Sequence, residues 1–467
     1  MTRSPDTDAP TQRIAPPAIL AEPAFAALLD ALPAARIVGG AVRDALAGRP
    51  ADQPTVPPTT DIDLATPLPP VAVMAALQRA GIRAVPTGLA HGTVTAVLDG
   101  TSAGTPVEIT TLRRDVATDG RHAIVAFTDD WRQDAARRDF TINAMSMTRD
   151  GAVYDYFGGV ADLRAGIVRF VGDPAQRIAE DYLRVLRYFR FYARYAAQPP
   201  APPVQAALRA GIPGLAQLSA ERVWSELQRI LAAPDPRAAI QLMAALDILA
   251  AVIPEGADPA ALDRLIASGA PVDPLLRLAA LLNGNVDTFA DRLRLSAEHR
   301  QRLLDLRLTP LTHPDDDDAG LRRNLADHAR GALIDRTWLA HAAGDTVTHA
   351  GWTALRASLE TLSKPRFPLE GRDVLALGLA PGPRVGALLR TVRAWWLAGG
   401  CTADAASCRA ELSRQIDTQY AQIDNAAQID IAAQIDHAAQ IDNAAQTDKP
   451  EQIDTATQTD AAVTNHE

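Results

Sequence analysis

Asp61-Ile62-Asp63-Leu64-Ala65-Thr66 decides how the chain is read, together with Gly39-Gly40-Ala41-Val42-Arg43-Asp44 some twenty residues earlier. On a β-strand successive side chains point to opposite faces. The one-residue spacer Ile62 therefore leaves the Asp61 and Asp63 carboxylates on one side, about 6 to 7 Å apart. Such a pair can hold a hard divalent cation, which takes oxygen ligands from one or two carboxylates and from substrate phosphates. Two such ions clamp an in-line phosphoryl displacement. An isolated Asp-x-Asp serves a turn or a solvated face equally well, so its neighbours carry the decision.

Ala35 to Val38 reads as a brief strand that runs into the glycine pair, and helical residues follow to Leu46 with a stop at Gly48. The glycines let a ligand approach the backbone, and the helix start offers unpaired N–H groups to an anion, with Arg43 in the first turn. The later glycines of a dinucleotide fingerprint and the Lys-Ser/Thr of a phosphate-binding loop are missing. A helix is expected over Val71 to Ala80, and strands over His91 to Leu98 and Val107 to Leu112. In the second strand Glu108 shares a face with Thr110, where it is either a third carboxylate or an exposed edge residue. Arg113 to Trp131 reads as a mobile loop leading into a strand near Ile124 to Phe127. In Arg137-Arg138-Asp139 two arginines can hold phosphates while the aspartate accepts from a ribose hydroxyl.

The chain has 467 residues and a formal net charge of −10, with lysine nearly absent. From Gln415 to Glu467 there are ten acidic residues against one lysine, so the body is close to neutral and its basic clusters are free to bind phosphate. The two cysteines, Cys401 and Cys408, have no partners for a zinc site and fit a reducing compartment. No stretch approaches eighteen apolar residues, and Met1 to Ala21 lacks a signal-peptide pattern. A cytoplasmic protein with a disordered leader and no membrane partner is expected.

Gly39 to Asp44, Asp61 to Thr66, Arg137-Arg138-Asp139-Phe140-Thr141-Ile142-Asn143-Ala144 and Glu180-Asp181-Tyr182-Leu183-Arg184, in this order and spacing, resemble the class II tRNA nucleotidyltransferases (CCA-adding enzymes) and the related bacterial poly(A) polymerases. The resemblance extends through Tyr154 to Pro174 and Glu221 to Leu227. It implies addition of C, C and A to tRNA 3′ ends from CTP and ATP with Mg²⁺. Asp61 and Asp63 are then the metal ligands, with Glu108 as a third catalytic carboxylate. Gly39, Gly40, Arg43 and Arg137 hold the triphosphate, and Asp139 reads the ribose.

Arg177 to Tyr195 is expected as one helix with Ile178, Tyr182, Val185, Leu186 and Phe189 on one face and its arginines on the other. Asp181 and Arg184 would then be surface neighbours at i and i+3. Cytosine and adenine both present an amino donor beside a ring-nitrogen acceptor, so a carboxylate next to a guanidinium suits them and rejects uracil and guanine. The resemblance makes this pair the base reader, with Arg187 and Arg190 lining the nucleotide site.

An α+β fold follows: a nucleotidyltransferase head with a small mixed sheet (23–150) after the leader (1–22), a neck with the base-reading helix (151–232), a helical body (233–340) and a helical tail (341–410) suited to tRNA. A six-residue repeat of Gln-Ile-Asp-x-x-Ala fills much of 411–467; its isoleucines fall 120° apart on a helix, and disorder is expected. A poly(A) polymerase, an enzyme adding only A or only CC, a non-catalytic RNA binder and a tethered interaction protein remain as alternatives.

Overall fold

The computed structural model describes residues 9–47, 62–98, 105–119, 122–308, 312–344, 348–418 and 430–435. Among them ten strands lie before Gly159: β1 (Gln12–Arg13), β2 (Arg36–Val38), β3 (Asp63–Thr66), β4 (Arg83–Gly88), β5 (Thr93–Leu98), β6 (Thr105–Thr111), β7 (Arg113–Asp119), β8 (His122–Phe127), β9 (Met145–Met147) and β10 (Ala152–Asp155). Eight form one mixed sheet in the order β1-β10-β9-β2-β3-β6-β5-β4. Its single parallel pairing joins β3 to β6, where Leu64 lies opposite Ile109. Antiparallel pairings join the rest, including Val38 with Asp63 and Val38 with Ser146.

Alternation along the strands sorts the two faces. Ile37, Leu64, Ile109 and Met147 turn inward onto Leu28, Leu29, Val73 and Leu77 of the helices Pro23–Ala31 and Pro70–Arg79. Val38, Ala65 and Leu112 turn to the other face, where Trp131 packs on them. That second face carries the candidate site. The sheet accounts for the predicted α+β head, and the strands expected near 91–98 and 107–112 are β5 and β6.

Three expectations are corrected, the first being the disordered leader: its described part, from residue 9, adds Gln12–Arg13 to the sheet as β1 against β10 and buries Leu20. The first part of the segment expected as a loop, Arg113–Asp119, is a strand, β7, which pairs with β8, the strand expected near Ile124 to Phe127. The predicted helix over 177–195 is two helices, Pro174–Glu180 and Leu183–Tyr195, with Asp181 between them in an extended conformation (φ −155°, ψ 107°). Asp181 stops the first helix and starts the second: its Oδ1 accepts from the Leu183 amide at 3.0 Å and its carbonyl from the Arg184 amide at 3.0 Å. A short acidic side chain competing for backbone N–H groups is the physical reason for the break.

Beyond Gly159 the described residues hold helices and no named strand. The chain divides into two units, 1–314 with 329–358, and 315–328 with 359–467. In the first, a buried aromatic cluster of Phe140, Phe170, Tyr188 and Phe191 joins the end of the sheet region to the Leu183–Tyr195 helix. Arg277, buried on the helix Pro274–Leu281, donates to the carbonyls of Leu231 (2.6 Å), Ala233 (2.5 Å) and Pro234 (3.1 Å) at the end of the helix Ala220–Leu231. In the second unit Leu388, Val392 and Trp396 of the helix Pro383–Ala398 pack with Cys408, Leu412 and Ile416 of the helix at 405–418. Most of the hexad repeat and residues 1–8 of the leader lie outside the described residues, apart from a short helical stretch at 430–435. No helix among the described residues is long and apolar enough to cross a membrane.

Candidate active site

β3 opens with Asp63, exposed, between buried Ile62 and Leu64. Extending the Leu64–Ile109 register by one residue sets Asp63 beside Glu108, which is also exposed. Their neighbours Leu64 and Ile109 face the core, so both carboxylates stand on the opposite face, on strands about 4.8 Å apart. Asp61, the other half of the predicted pair, lies outside the described residues. The lateral row on this face runs Tyr154, Ser146, Val38, Asp63, Glu108 across five strands. Exposed oxygen donors from adjacent strands fit a hard divalent cation.

Beside Asp63, β2 ends at Val38 and the chain turns through Gly39 (φ 71°) into the helix Gly40–Leu46. Positive φ is the reason for glycine there. Arg43 does not project freely from this turn. It is 9% exposed, donates through Nη1 to Asn143 Oδ1 at 2.6 Å and through Nε to Asp44 at 3.1 Å, and stacks near Phe191 and Tyr195. Tyr195 Oη donates to Asp44 at 2.7 Å, tying this short helix to the end of Leu183–Tyr195.

A continuous polar chain leads from the glycine turn to the predicted base-reading helix. Asn143 receives from Arg43 and donates through Nδ2 to Asp139 Oδ1 at 3.1 Å; Asp139 Oδ2 accepts from Arg187 Nε at 2.7 Å. Burial opposes the Asp139 charge, but Arg187, Asn143 and the Phe140 amide outweigh it and hold the carboxyl below its ordinary range. Arg187 also lies 3.9 Å from Glu226, which accepts from Arg190 at 3.0 Å and Arg229 at 3.3 Å. Burial pushes Arg190 down to about 10 despite that partner.

Arg137 and Arg138 converge on buried Asp134, at 2.8 Å and 3.3 Å. There too burial is outweighed by the two guanidinium groups and the carboxyl stays below its ordinary range. Asp181 and Arg184 are close in the chain, but no ion pair joins them. Asp181 Oδ2 accepts from Arg222 at 2.8 Å, while Arg184 donates to Glu180 at 2.6 Å, to the Arg177 carbonyl at 2.8 Å and to the Arg137 carbonyl at 3.5 Å.

The structure thus gathers Asp139, Arg187, Arg190, Arg43 and Arg137 with Arg184 into linked networks, and sets Asp63 with Glu108 and Gly39 on the adjoining sheet face. Residues to which the sequence reading gave no role are the partners Asp134, Asn143, Arg222 and Glu226. Glu226 had a signal: it lies three residues from Val223 and four from Ile230, inside the apolar stripe of its helix, where an acid needs a buried partner.

The chain matches the Poly A polymerase head domain family over residues 35–169 and the family described as probable RNA and SrmB- binding site of polymerase A over 200–258. It is 37% identical over 378 residues to the human CCA tRNA nucleotidyltransferase 1, mitochondrial, covering 78% of this chain and 83% of that protein. It is 30% identical over 366 residues to the CCA-adding enzyme of Streptococcus gordonii, covering 76% and 87%. Among solved structures it is similar to the Bacillus stearothermophilus CCA-adding enzyme in complex with CTP, with TM-score 0.66, 25% identity and coverage of 86% of this chain and all of that one.

Proposed function

Because this chain belongs to the CCA-adding tRNA nucleotidyltransferase family, we propose that it adds C, C and A to tRNA 3′ ends from CTP and ATP, releasing pyrophosphate. The single observation that carries the reading is the Asp63–Glu108 row beside the Gly39 turn, with the Asp139–Arg187 network running from it to the helix Leu183–Tyr195. Carboxylates, an anion-accepting turn and a polar nucleotide wall are the parts that nucleotidyl transfer requires.

Asp61 and Asp63, with Glu108 beside Asp63, would hold divalent cations, for which we propose Mg²⁺. When bound, these supply charge neutralisation at the triphosphate and lower the pKa of the attacking 3′-hydroxyl. The chain's own groups orient the reactants. The Gly39–Gly40 amides and Arg137 receive phosphate oxygens, and Asp139 accepts from the ribose. Arg43 is proposed to act with them, its stacked and hydrogen-bonded setting supporting a fixed position for the turn. For base choice, Asp181 accepts from the amino group of cytosine or adenine and Arg184 donates to the ring nitrogen, with Arg187 and Arg190 completing the wall. Asp181 exchanges Arg222, and Arg184 exchanges Glu180, for the base.

We retain the head, neck, body and tail as functional divisions at 23–150, 151–232, 233–340 and 341–410, with the tail on tRNA. The compartment is proposed to be cytoplasmic, since two cysteines without a zinc-site pattern suit a reducing compartment; the mitochondrial name belongs to the relative.

The test uses tRNA ending before CC, with each nucleotide alone and together, and sequencing of the products. CTP alone should add two residues, CTP with ATP should complete CCA, and pyrophosphate should appear in step. Long A tracts from ATP alone would refute the reading in favour of a poly(A) polymerase.

A further inference from the structure

On the carboxylate face, next to the Val38–Asp63 pair, Arg36 lies opposite Ala65. Its guanidinium is sandwiched between Trp131 and Tyr154, with Cζ 4.2 Å and 3.6 Å from the ring centroids, and Nη1 donates to Tyr156 Oη at 3.3 Å. Stacking fixes the plane of the fork while its edge stays available for hydrogen bonds. Arg43, Arg137, Arg138, Arg184, Arg187 and Arg190 each have a carboxylate partner. Arg36 has none among the described residues, and its other guanidinium N–H groups have no protein acceptor there. Among the described residues it is a half-buried, oriented cation without a counter-ion, on the candidate catalytic face.

Direction gives the ligand. In-line displacement puts the attacking hydroxyl and the leaving pyrophosphate on opposite sides of the reacting phosphorus. The glycine turn that receives the triphosphate is at the C-terminal end of β2, whereas Arg36 is at its N-terminal end, with Val38 and Asp63 between. Strand spacings put the Arg36 and Asp63 Cα atoms roughly 8 Å apart. The acceptor strand must therefore come from the Arg36 side.

We propose that Arg36, oriented by Trp131 and Tyr154, binds a backbone phosphate of the RNA acceptor strand next to its reacting 3′ end. The assignment rests on the reading of this protein as a tRNA-extending enzyme and names the group that seats the second substrate.

Wild type, Arg36→Gln and Arg36→Lys are compared on tRNA ending in CC with ATP, alongside filter-binding affinity for the same tRNA over a salt series. Expected for Arg36→Gln are an approximately tenfold rise in KM for tRNA, an unchanged KM for ATP and a binding slope against log salt shallower by about 0.7, as for one lost single-strand phosphate contact. Arg36→Lys should restore the slope and part of the affinity. Tyr154→Leu, which opens one side of the stack and keeps the charge, should raise the tRNA KM several-fold; it reads the same site should Arg36→Gln fail to fold. Unchanged tRNA affinity in these variants, or an ATP KM rising in step with the tRNA KM, would overturn the assignment. Failure of wild type to add A would instead remove the enzymatic reading, and the binding series would still decide for or against the phosphate contact.

Discussion

Asp139→Asn breaks the polar chain at its centre while keeping the side-chain volume. In the native protein Asp139 accepts from Arg187 at 2.7 Å, from Asn143 at 3.1 Å and from the Phe140 amide at 2.9 Å. The substitution removes the charge opposite Arg187, whose next acid, Glu226, is 3.9 Å away and already holds Arg190. Losing one partner of a buried ion pair costs about 3 to 5 kcal/mol. The Arg187 side chain keeps 29% of its surface in water, so partial rehydration brings the expected loss to about 2.5 kcal/mol, roughly 70-fold in the folding equilibrium. The measurement is a double-mutant cycle of Asp139→Asn with Arg187→Met, read as the urea midpoint and slope of the first unfolding transition. A coupling of about 2 kcal/mol is expected, because most of the loss is the stranded guanidinium. The kinetic counterpart is a rise in KM for CTP and ATP by similar factors, since ribose and not base is affected. Coupling below about 0.5 kcal/mol would refute the network as an energetic unit.

Asp63→Asn should lower kcat by at least about a thousandfold with circular dichroism unchanged, and Glu108→Gln should lower it less, with the apparent Mg²⁺ requirement raised in both; substantial activity in Asp63→Asn would end the metal assignment. Gly39→Ala puts a side chain at φ 71° and should cost about 1 to 2 kcal/mol, seen as a lower melting temperature with a raised KM for nucleotides. The Asp134 and Asp139 carboxyls are held below the ordinary 3.8, so their stabilisation is complete above pH 3.8 and is lost as pH falls through their depressed folded values; acid titration followed by tryptophan fluorescence should show a transition below pH 3.8 that shifts upward in Arg187→Met. Truncation after Thr418 should leave CCA addition intact, whereas cutting at Gln415 removes Ile416 from its core and should destabilise the second unit.

What could be read from the sequence followed the residues whose pattern is local. Ile62-Asp63-Leu64 and Glu108-Ile109 alternate over strands, so the exposure of each carboxylate was legible, whereas only the Leu64–Ile109 register puts the two side by side on one face. Gly39 was legible as a turn because few residue types tolerate its conformation. The break at Asp181 was not, since the apolar period of Ile178, Val185 and Leu186 runs across it as though the helix were continuous, while the capping bond to Leu183 competes with that period locally. The β7 arm of the hairpin escaped, although its partner near Ile124 to Phe127 was expected, because backbone pairing holds a segment, Arg113–Asp119, whose side chains show little alternation. The Arg187–Asp139 and Arg222–Asp181 bonds span 48 and 41 residues, and a single sequence carries no marker of such distant pairing.

Arg277 has a consequence for how the protein is made. The helix Ala220–Leu231, which supplies Glu226 and Arg222, ends on carbonyls that wait for a guanidinium 46 residues further along the chain. During synthesis these carbonyls stay hydrated until Arg277 emerges, so the helix that steadies the arginines of the nucleotide site is completed late, by a segment outside the head. A head-and-neck fragment ending before that point contains every proposed site residue but lacks the brace that finishes their support.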